Sequence, residues 1–328
     1  MVEDNNTKFG VYVNQQRIED KQSLKPMDVI RIGDTLFLFQ DGKLYYNHRD
    51  VAKNLLQINI EERSVWNLFK KKVLLSDIKL SIQPGEMVLI LGGSGAGKTT
   101  FVNAVMGYEK AKGQILEGDI DIYKNYNQMK YNIAFVPQQD LLRMEDTVIG
   151  TMENAAEMKL PRSVKSAERK ARVDAVLETL GLEREKNTKV SKLSGGQRKR
   201  LSIAVEFISD PTLFFLDEPD SGLDGVMARS LMEKLRDISD QNTIVMVITH
   251  QPDRVEDLFD KIIVLAKSPK DNVGHMAFFG TIEESMEFFD TDTIEGIVKR
   301  INRPDEGGEG RADEFIEKYR KIEEKGNE

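Results

Sequence analysis

Residues 87–106 read MVLILGGSGAGKTTFVNAVM, and the fold follows from them. Met87–Leu91 is an unbroken apolar run, as expected of a strand buried on both faces. Thr99–Met106 has the spacing of a helix. Between them, Gly92-Gly93-Ser94-Gly95-Ala96-Gly97-Lys98-Thr99 fits G-x-x-x-x-G-K-[ST] in the setting that pattern requires, a strand before and a helix after. Glycines let backbone N–H groups converge on a β-phosphate with no Cβ in the way. The helix behind them presents the positive end of its dipole. Lys98 is placed to reach the β- and γ-phosphates, the Thr99 hydroxyl to ligate Mg²⁺, and Thr100 to complete the cradle. The stretch predicts a nucleoside triphosphate site with Mg²⁺.

Working outward, Leu213–Asp217 (LFFLD) is an apolar strand that ends in a carboxylate. Such a strand sets Asp217 at the C-terminal edge of the sheet, beside the phosphate loop, where it can hold the Mg²⁺ shell. Glu218 follows and is the natural group to polarise an attacking water. Other strand-like runs are Ile133–Pro137 and Thr243–Thr249. Helical patterns cover Thr147–Met158, Ser166–Leu180, Gln197–Ile208 and Gly225–Ser239. Strands alternating with helices predict a parallel sheet covered by helices, an α/β fold.

Leu193-Ser194-Gly195-Gly196-Gln197 opens the helix that carries Leu201, Ala204, Val205 and Ile208. It is a second glycine-rich helix N-terminus able to face an anion. Two phosphate-facing surfaces in one chain suggest that each ATP is shared between two chains. A Ser-capped helix with incidental glycines is the alternative; it does not explain why the stretch lies just upstream of LFFLDE.

Taken in order, Val136-Pro137-Gln138, LSGGQ, LFFLDEP, Ser221-Gly222-Leu223-Asp224 and Ile248-Thr249-His250 resemble the motif set of ABC-transporter nucleotide-binding domains over about residues 55–290. The resemblance implies a P-loop ATPase core with a mixed sheet and a helical subdomain at about 139–205. It implies that Gln138 touches Mg²⁺ and the lytic water. Ser194, Gly195, Gly196 and Gln197 would meet the opposing subunit's ATP. Glu218 would be the general base, His250 would contact the γ-phosphate, and Asp224 would communicate across the dimer. The family stacks adenine on an aromatic residue; here Phe69 and Trp66 compete, with Phe69 preferred. Asp220 stands where the family usually has Thr or Ser, which implies an altered loop rather than lost activity.

Gln197-Arg198-Lys199-Arg200, Thr249-His250-Gln251-Pro252 and the stretch 258–280 resemble the G-type (White-like) branch. That likeness implies export, a dimer of ATPase domains, and a transmembrane domain in the same full-length polypeptide, with a separate membrane subunit as the alternative. This chain would then be a soluble part on the cytoplasmic face of the membrane. Residues 1–50 read as short strands (Val11–Val13, Val29–Ile32, Leu36–Phe39) separated by turns. With Leu24-Lys25-Pro26-Met27-Asp28 and Gly33, they resemble the closing strands of a forkhead-associated domain. A β-rich appendage is the other reading, and phosphopeptide binding is not expected. The tail, 291–328, is charge-rich: Arg303–Arg311 reads as a linker and Ala312–Lys325 as a solvated helix.

Composition narrows the alternatives. The 328 residues carry 47 Lys and Arg against 55 Asp and Glu, a formal charge of −8, which argues against a nucleic-acid partner. There is no cysteine, which removes disulfide, zinc-thiolate and thiol-nucleophile chemistry. No apolar run is long enough to span a bilayer. The segment from Gln138 to Ser194 is too short for the long coiled coils of chromosome-type relatives. Intact Lys98, Asp217, Glu218 and His250 argue against a degenerate ATPase serving as an adaptor.

Overall fold

The computed structural model describes residues 2, 11–14, 16–18, 21–25, 28–32, 35–40, 43–46, 55–67 and 70–326. The chain divides into two compact units, Met1–Lys53 and Asn54–Glu328.

The first unit is an antiparallel sheet of β1 (Val11–Val13), β2 (Gln16–Arg17), β3 (Asp28–Ile32), β4 (Thr35–Gln40) and β5 (Lys43–Tyr46), in the order β2-β1-β3-β4-β5. Among the described residues its core is Val11, Val13, Ile18 and Ile30. Asp28 ties the turns together. One carboxylate oxygen accepts from Asn14 Nδ2 at 2.9 Å and the other from the Lys25 backbone N–H at 2.7 Å, the short-side-chain chemistry that turns favour.

The second unit is built on ten strands. They are β6 (Leu56–Asn67), β7 (Lys70–Ile82), β8 (Met87–Leu91), β9 (Lys112–Glu117), β10 (Ile120–Asp121), β11 (Ile133–Val136), β12 (Leu213–Asp217), β13 (Ile244–Ile248), β14 (Lys261–Lys267) and β15 (Gly274–Gly280). Their order is β10-β9-β6-β7-β15-β14-β8-β13-β12-β11. From β14 to β11 every neighbour is parallel. β6, β7, β9 and β10 form an antiparallel arm that alternation with helices does not reveal. The sheet is therefore mixed.

The parallel strands are continuously apolar because the sheet separates two cores. Met87, Leu89 and Leu91 of β8 point to one side with Phe214, Leu216, Val245 and Val247. Val88 and Ile90 point to the other with Leu213, Phe215, Ile244, Met246 and Ile248. α1 (Lys98–Val105) fills the second core through Phe101, Val102 and Val105. The first is covered by α3 (Val148–Lys159), α4 (Ser166–Thr179), α5 (Gly195–Phe207) and α6 (Gly225–Ser239), which follow the short α2 (Tyr126–Met129). Arg172 fastens α4 to the end of α5: Nη2 donates to the Phe207 carbonyl at 2.8 Å, and the guanidinium lies 4.9 Å from the Phe207 ring centroid. Cations are favoured at helix C-termini and on aromatic faces.

The tail departs from the sequence reading. α7 (Ile282–Phe289) and α9 (Ala312–Gly326) pack on β14 and β15, and α8 (Ile294–Ile301) packs against both helices. Arg303–Arg311 is folded rather than a loose linker, with Gly308, Glu309, Gly310 and Arg311 donating backbone N–H groups to Arg303, Lys299, Asn302 and Arg300. α9 buries Ala312, Phe315 and Ile316, a helical stripe hidden among charges. Phe315 packs at a tilt against Phe289 with a centroid distance of 4.6 Å, and Lys318 Nζ sits 4.2 Å over the Phe288 ring. Asn302, at the end of α8, lies against Gly93, where an added Cβ would come within 2.0 Å of its amide oxygen.

Candidate nucleotide-binding site

Four adjacent parallel strands, β11, β12, β13 and β8, deliver the candidate residues to one edge of the sheet. Gln138 follows β11, Asp217 ends β12, His250 follows β13, and the Gly92–Gly97 loop follows β8. This is the carboxyl edge, where parallel α/β sheets bind ligands.

The loop has the conformation its glycines predict. Gly95 and Gly97 have φ of 68° and 99°. At Gly97 a Cβ would also approach Leu75 Cδ2 to 2.5 Å, so glycine is required there for two reasons. Ala96 is buried, while Ser94, Gly95 and Thr99 are exposed. Lys98 Nζ donates to the Gly92 carbonyl at 2.6 Å and to the Gly93 carbonyl at 3.2 Å. Burial lowers the Lys98 pKa, and the charges of Asp217 and Glu218 oppose that shift. The Asp217 carboxyl is pushed above its ordinary value, first by burial and then by Glu218, with Lys98 and His250 acting the other way.

Glu218 is the hub. Its backbone lies in the left-handed region at φ 49°, and its N–H donates to the Ile248 carbonyl at 2.9 Å, which joins it to β13. Its Oε2 accepts from Gln138 Nε2 at 2.5 Å, and its Oε1 stands 2.6 Å from His250 Nε2. The carboxylate is thus held between two side chains from neighbouring strand ends.

The donor set suits Mg²⁺. The Thr99 hydroxyl, the Gln138 amide oxygen and the Asp217 carboxylate are all hard oxygen ligands. Two consecutive acids, one with its ionisation already resisted, form a locality that a divalent cation relieves.

The second helix tip lies apart. No hydrogen bond among the described residues joins Ser194, Gly195, Gly196 or Gln197 to Lys98, Glu218 or His250. Ser194 and Gln197 form a capping box: Ser194 Oγ accepts from the Gln197 N–H at 3.2 Å, and Gln197 Oε1 accepts from the Ser194 N–H at 2.9 Å. Gln197 Nε2 is committed to Glu185 at 2.9 Å. Asp224 caps α6, accepting from the Val226 and Met227 N–H groups. Phe69, the preferred adenine partner, lies outside the described residues. Trp66 is exposed on β6.

Three contributors were not anticipated. Thr249 Oγ1 donates to Asp220 Oδ2 at 2.5 Å, and both residues are buried, so the unusual acid has a partner one residue before His250. Asp253, just past His250, caps α8 by accepting from the Ile294 and Glu295 N–H groups at 2.7 and 3.0 Å. Lys199 is buried beneath the Gln138 loop. The Asp220 departure was visible in the sequence. Asp253 and Lys199 read as ordinary surface charges.

The fold and this edge define a P-loop ATPase of the ABC type. Residues 75–221 match the family model described as ABC transporter. The chain is 35% identical over 274 residues to the ABC transporter ATP-binding/permease protein Rv1747 of Mycobacterium tuberculosis, covering 82% of this chain and 31% of that protein. It is 35% identical over 259 residues to ABC transporter G family member 26 of Arabidopsis thaliana, covering 72% and 36%. Among solved structures, it is similar to cbiO1 from Clostridium perfringens, part of the ABC transporter complex cbiONQ (TM-score 0.60, 27% identity, 71% of this chain and 90% of that one). It is also similar to the ATP-binding cassette MJ0796 in a dimeric post-hydrolysis state bound to ADP and Pi (TM-score 0.57, 25% identity, 69% and 98%). The chain spans about a third of the length of the curated relatives it matches. It carries an ABC transporter nucleotide-binding domain with G-family homologues.

Proposed function

We propose that this chain binds ATP with Mg²⁺ and hydrolyses it to drive transport across a membrane, working as a head-to-tail pair of ATPase domains. The observation that carries the reading is Glu218, held between Gln138 and His250 at the edge where the phosphate loop also ends.

The chemistry follows from that placement. Gly92–Thr100 wraps the phosphates with backbone N–H groups, and Lys98 turns from its own loop carbonyls to the β- and γ-phosphates. Thr99, Gln138 and Asp217 would hold Mg²⁺, which when bound neutralises charge on the β- and γ-phosphate oxygens. Glu218 orients a water and accepts its proton as the water oxygen bonds to the γ-phosphorus; the bond to the β,γ-bridging oxygen breaks, and ADP leaves with that electron pair. His250 and Gln138 hold the carboxylate in line. A positioned base contributes roughly 10²–10⁴ in rate.

The opposing copy's Ser194–Gly196 tip would complete the site. Gly195 has nothing within 4 Å of a built Cβ, so no neighbour within the chain requires glycine there. Close approach by a phosphate from a partner would supply that requirement.

The G-family homologues support an exporter with a transmembrane domain in the same polypeptide, and this domain at the cytoplasmic face. No helix among the described residues is long and apolar enough to cross a membrane, so a membrane part would come from elsewhere. Residues 1–50, whose described strands β1 to β5 form an antiparallel sheet, we read as the closing strands of a forkhead-associated module or as a β-rich appendage, with no phosphopeptide role assigned.

The test is Glu218→Gln with Mg-ATP. Turnover should fall at least 100-fold while the protein elutes as an ATP-loaded dimer. Hydrolysis at the parent rate would remove Glu218 as the base.

A further inference from the structure

Lys199 is a buried cation that nothing in the hydrolytic reading uses. It lies on α5, five residues beyond Ser194, with only 4% of its surface exposed. Its Nζ donates to the Gln138 backbone carbonyl at 2.8 Å and lies 2.9 Å from Asp140 Oδ1. Among the described residues Asp140 Oδ1 is a buried oxygen with no hydrogen-bond partner, and Lys199 Nζ is the cation paired with it. Sealing an ammonium group from water is costly unless it is matched, and removing its partner strands it. An exposed pair would be replaceable; this one is not placed as an exposed pair.

Its position gives the pair a direction. α5 is one helical rod whose tip is the Ser194–Gly196 surface. Lys199 grips the main chain of Gln138 from that rod, while the Gln138 side chain grips Glu218, and Glu218 meets His250. A hydrogen-bonded path therefore runs from the helix tip to the carboxylate of the same protomer. In the head-to-tail pair, that tip serves the partner's nucleotide.

We propose that Lys199 is a positioning residue that couples the two ATP sites: when the helix tip of a protomer closes on its partner's triphosphate, Lys199 sets Gln138 against Glu218 in that protomer's own site. Asp140 holds the ammonium in register, and the two sites then fire together rather than independently. The proposal rests on the paired-ATPase reading above. The physical element is a helix and a loop joined by one buried cation, and both ligands bias it.

The experiment compares the full chain with Lys199→Met, Lys199→Arg and Asp140→Asn. Met keeps the apolar stem and length without the charge; Arg keeps the charge. Three readouts are taken: affinity for a fluorescent ATP analogue, kcat, and the Hill coefficient of ATPase rate against ATP. For Lys199→Met we expect analogue affinity within about threefold of the parent, kcat down about 10- to 100-fold as expected for a misplaced catalytic group, and a Hill coefficient reduced to one. Lys199→Arg should restore cooperativity in large part. Asp140→Asn, which leaves the lysine in place, should lower the Hill coefficient with a smaller loss of kcat and covers the case in which Lys199→Met does not fold. A merely structural lysine would lower melting temperature and kcat together and leave the Hill coefficient at the parent value, which overturns the proposal. If the parent shows no cooperativity and Glu218→Gln forms no ATP-dependent dimer, the paired-ATPase reading fails and the coupling falls with it. If the parent passes both and the variants match it, the coupling alone is wrong.

Discussion

α1 and α5 both have glycine in the turn that opens them and present N–H groups to an approaching anion, yet their surroundings differ. The N-cap of α1 is Gly97, which has no side chain to give, and the turn is ringed by Lys98, Asp217, Glu218, Gln138 and His250. The N-cap of α5 is Ser194, which already satisfies the helix through a reciprocal capping box, and its flanking Gln197 is occupied with Glu185. The first tip has a cation, a held carboxylate and an oxygen donor set in its own chain. The second has a satisfied cap and bare glycine. A helix start so prepared and yet so sparsely furnished is suited to finish a site assembled on another molecule.

The contrast can be broken at several points. Lys98→Ala removes the loop's own cation and should weaken ATP analogue binding about 100-fold, or about 2.7 kcal/mol, measured by fluorescence titration. The same change should leave the melting temperature of the nucleotide-free protein nearly unaltered. Next comes a matched pair of substitutions. Gly97→Ala forces a Cβ onto Leu75 at a left-handed position and should destabilise the fold by about 2 kcal/mol, read by urea denaturation. Gly195→Ala meets open space and should leave stability within about 0.5 kcal/mol, while abolishing the ATP-dependent dimer of the Glu218→Gln protein. If Gly195→Ala dimerises normally, the second tip has no trans role. Ser194→Ala is the smallest change: loss of the cap should cost about 1 kcal/mol, visible as a lower urea midpoint.

The sequence made one part of this molecule more readable than another, for physical reasons. The parallel strands announce themselves because alternate residues feed opposite cores, which forces an unbroken apolar run such as Met87–Leu91. The phosphate loop is legible because its backbone demands glycine. The β6–β7 hairpin was missed although Leu56, Ile58 and Ile60 alternate with polar residues, since its far end runs into charge and a register shift after Arg63. α9 was misjudged because its buried stripe is outnumbered by acids and bases that face water. Lys199 and Asp253 escaped notice for a common reason: a charged side chain that works as an internal strut has the same letter as one that dangles in solvent, and only packing tells them apart. The Asp220 substitution was noticed, but its hydrogen-bond partner, Thr249, is distant in sequence.

The contact between Asn302 and Gly93 has a practical consequence for anyone trimming this polypeptide. A cut near residue 290, where the strand-and-helix alternation stops, would strip Phe315 from the rings of Phe288 and Phe289 and take Ile297, Ile301 and Ile316 out of the same core, leaving a sticky patch prone to aggregation. It would also take away the amide that buttresses the glycine loop from behind. Fragments prepared for crystallisation or turnover assays should run through residue 326, because the charged end of this chain is scaffolding for its phosphate cradle.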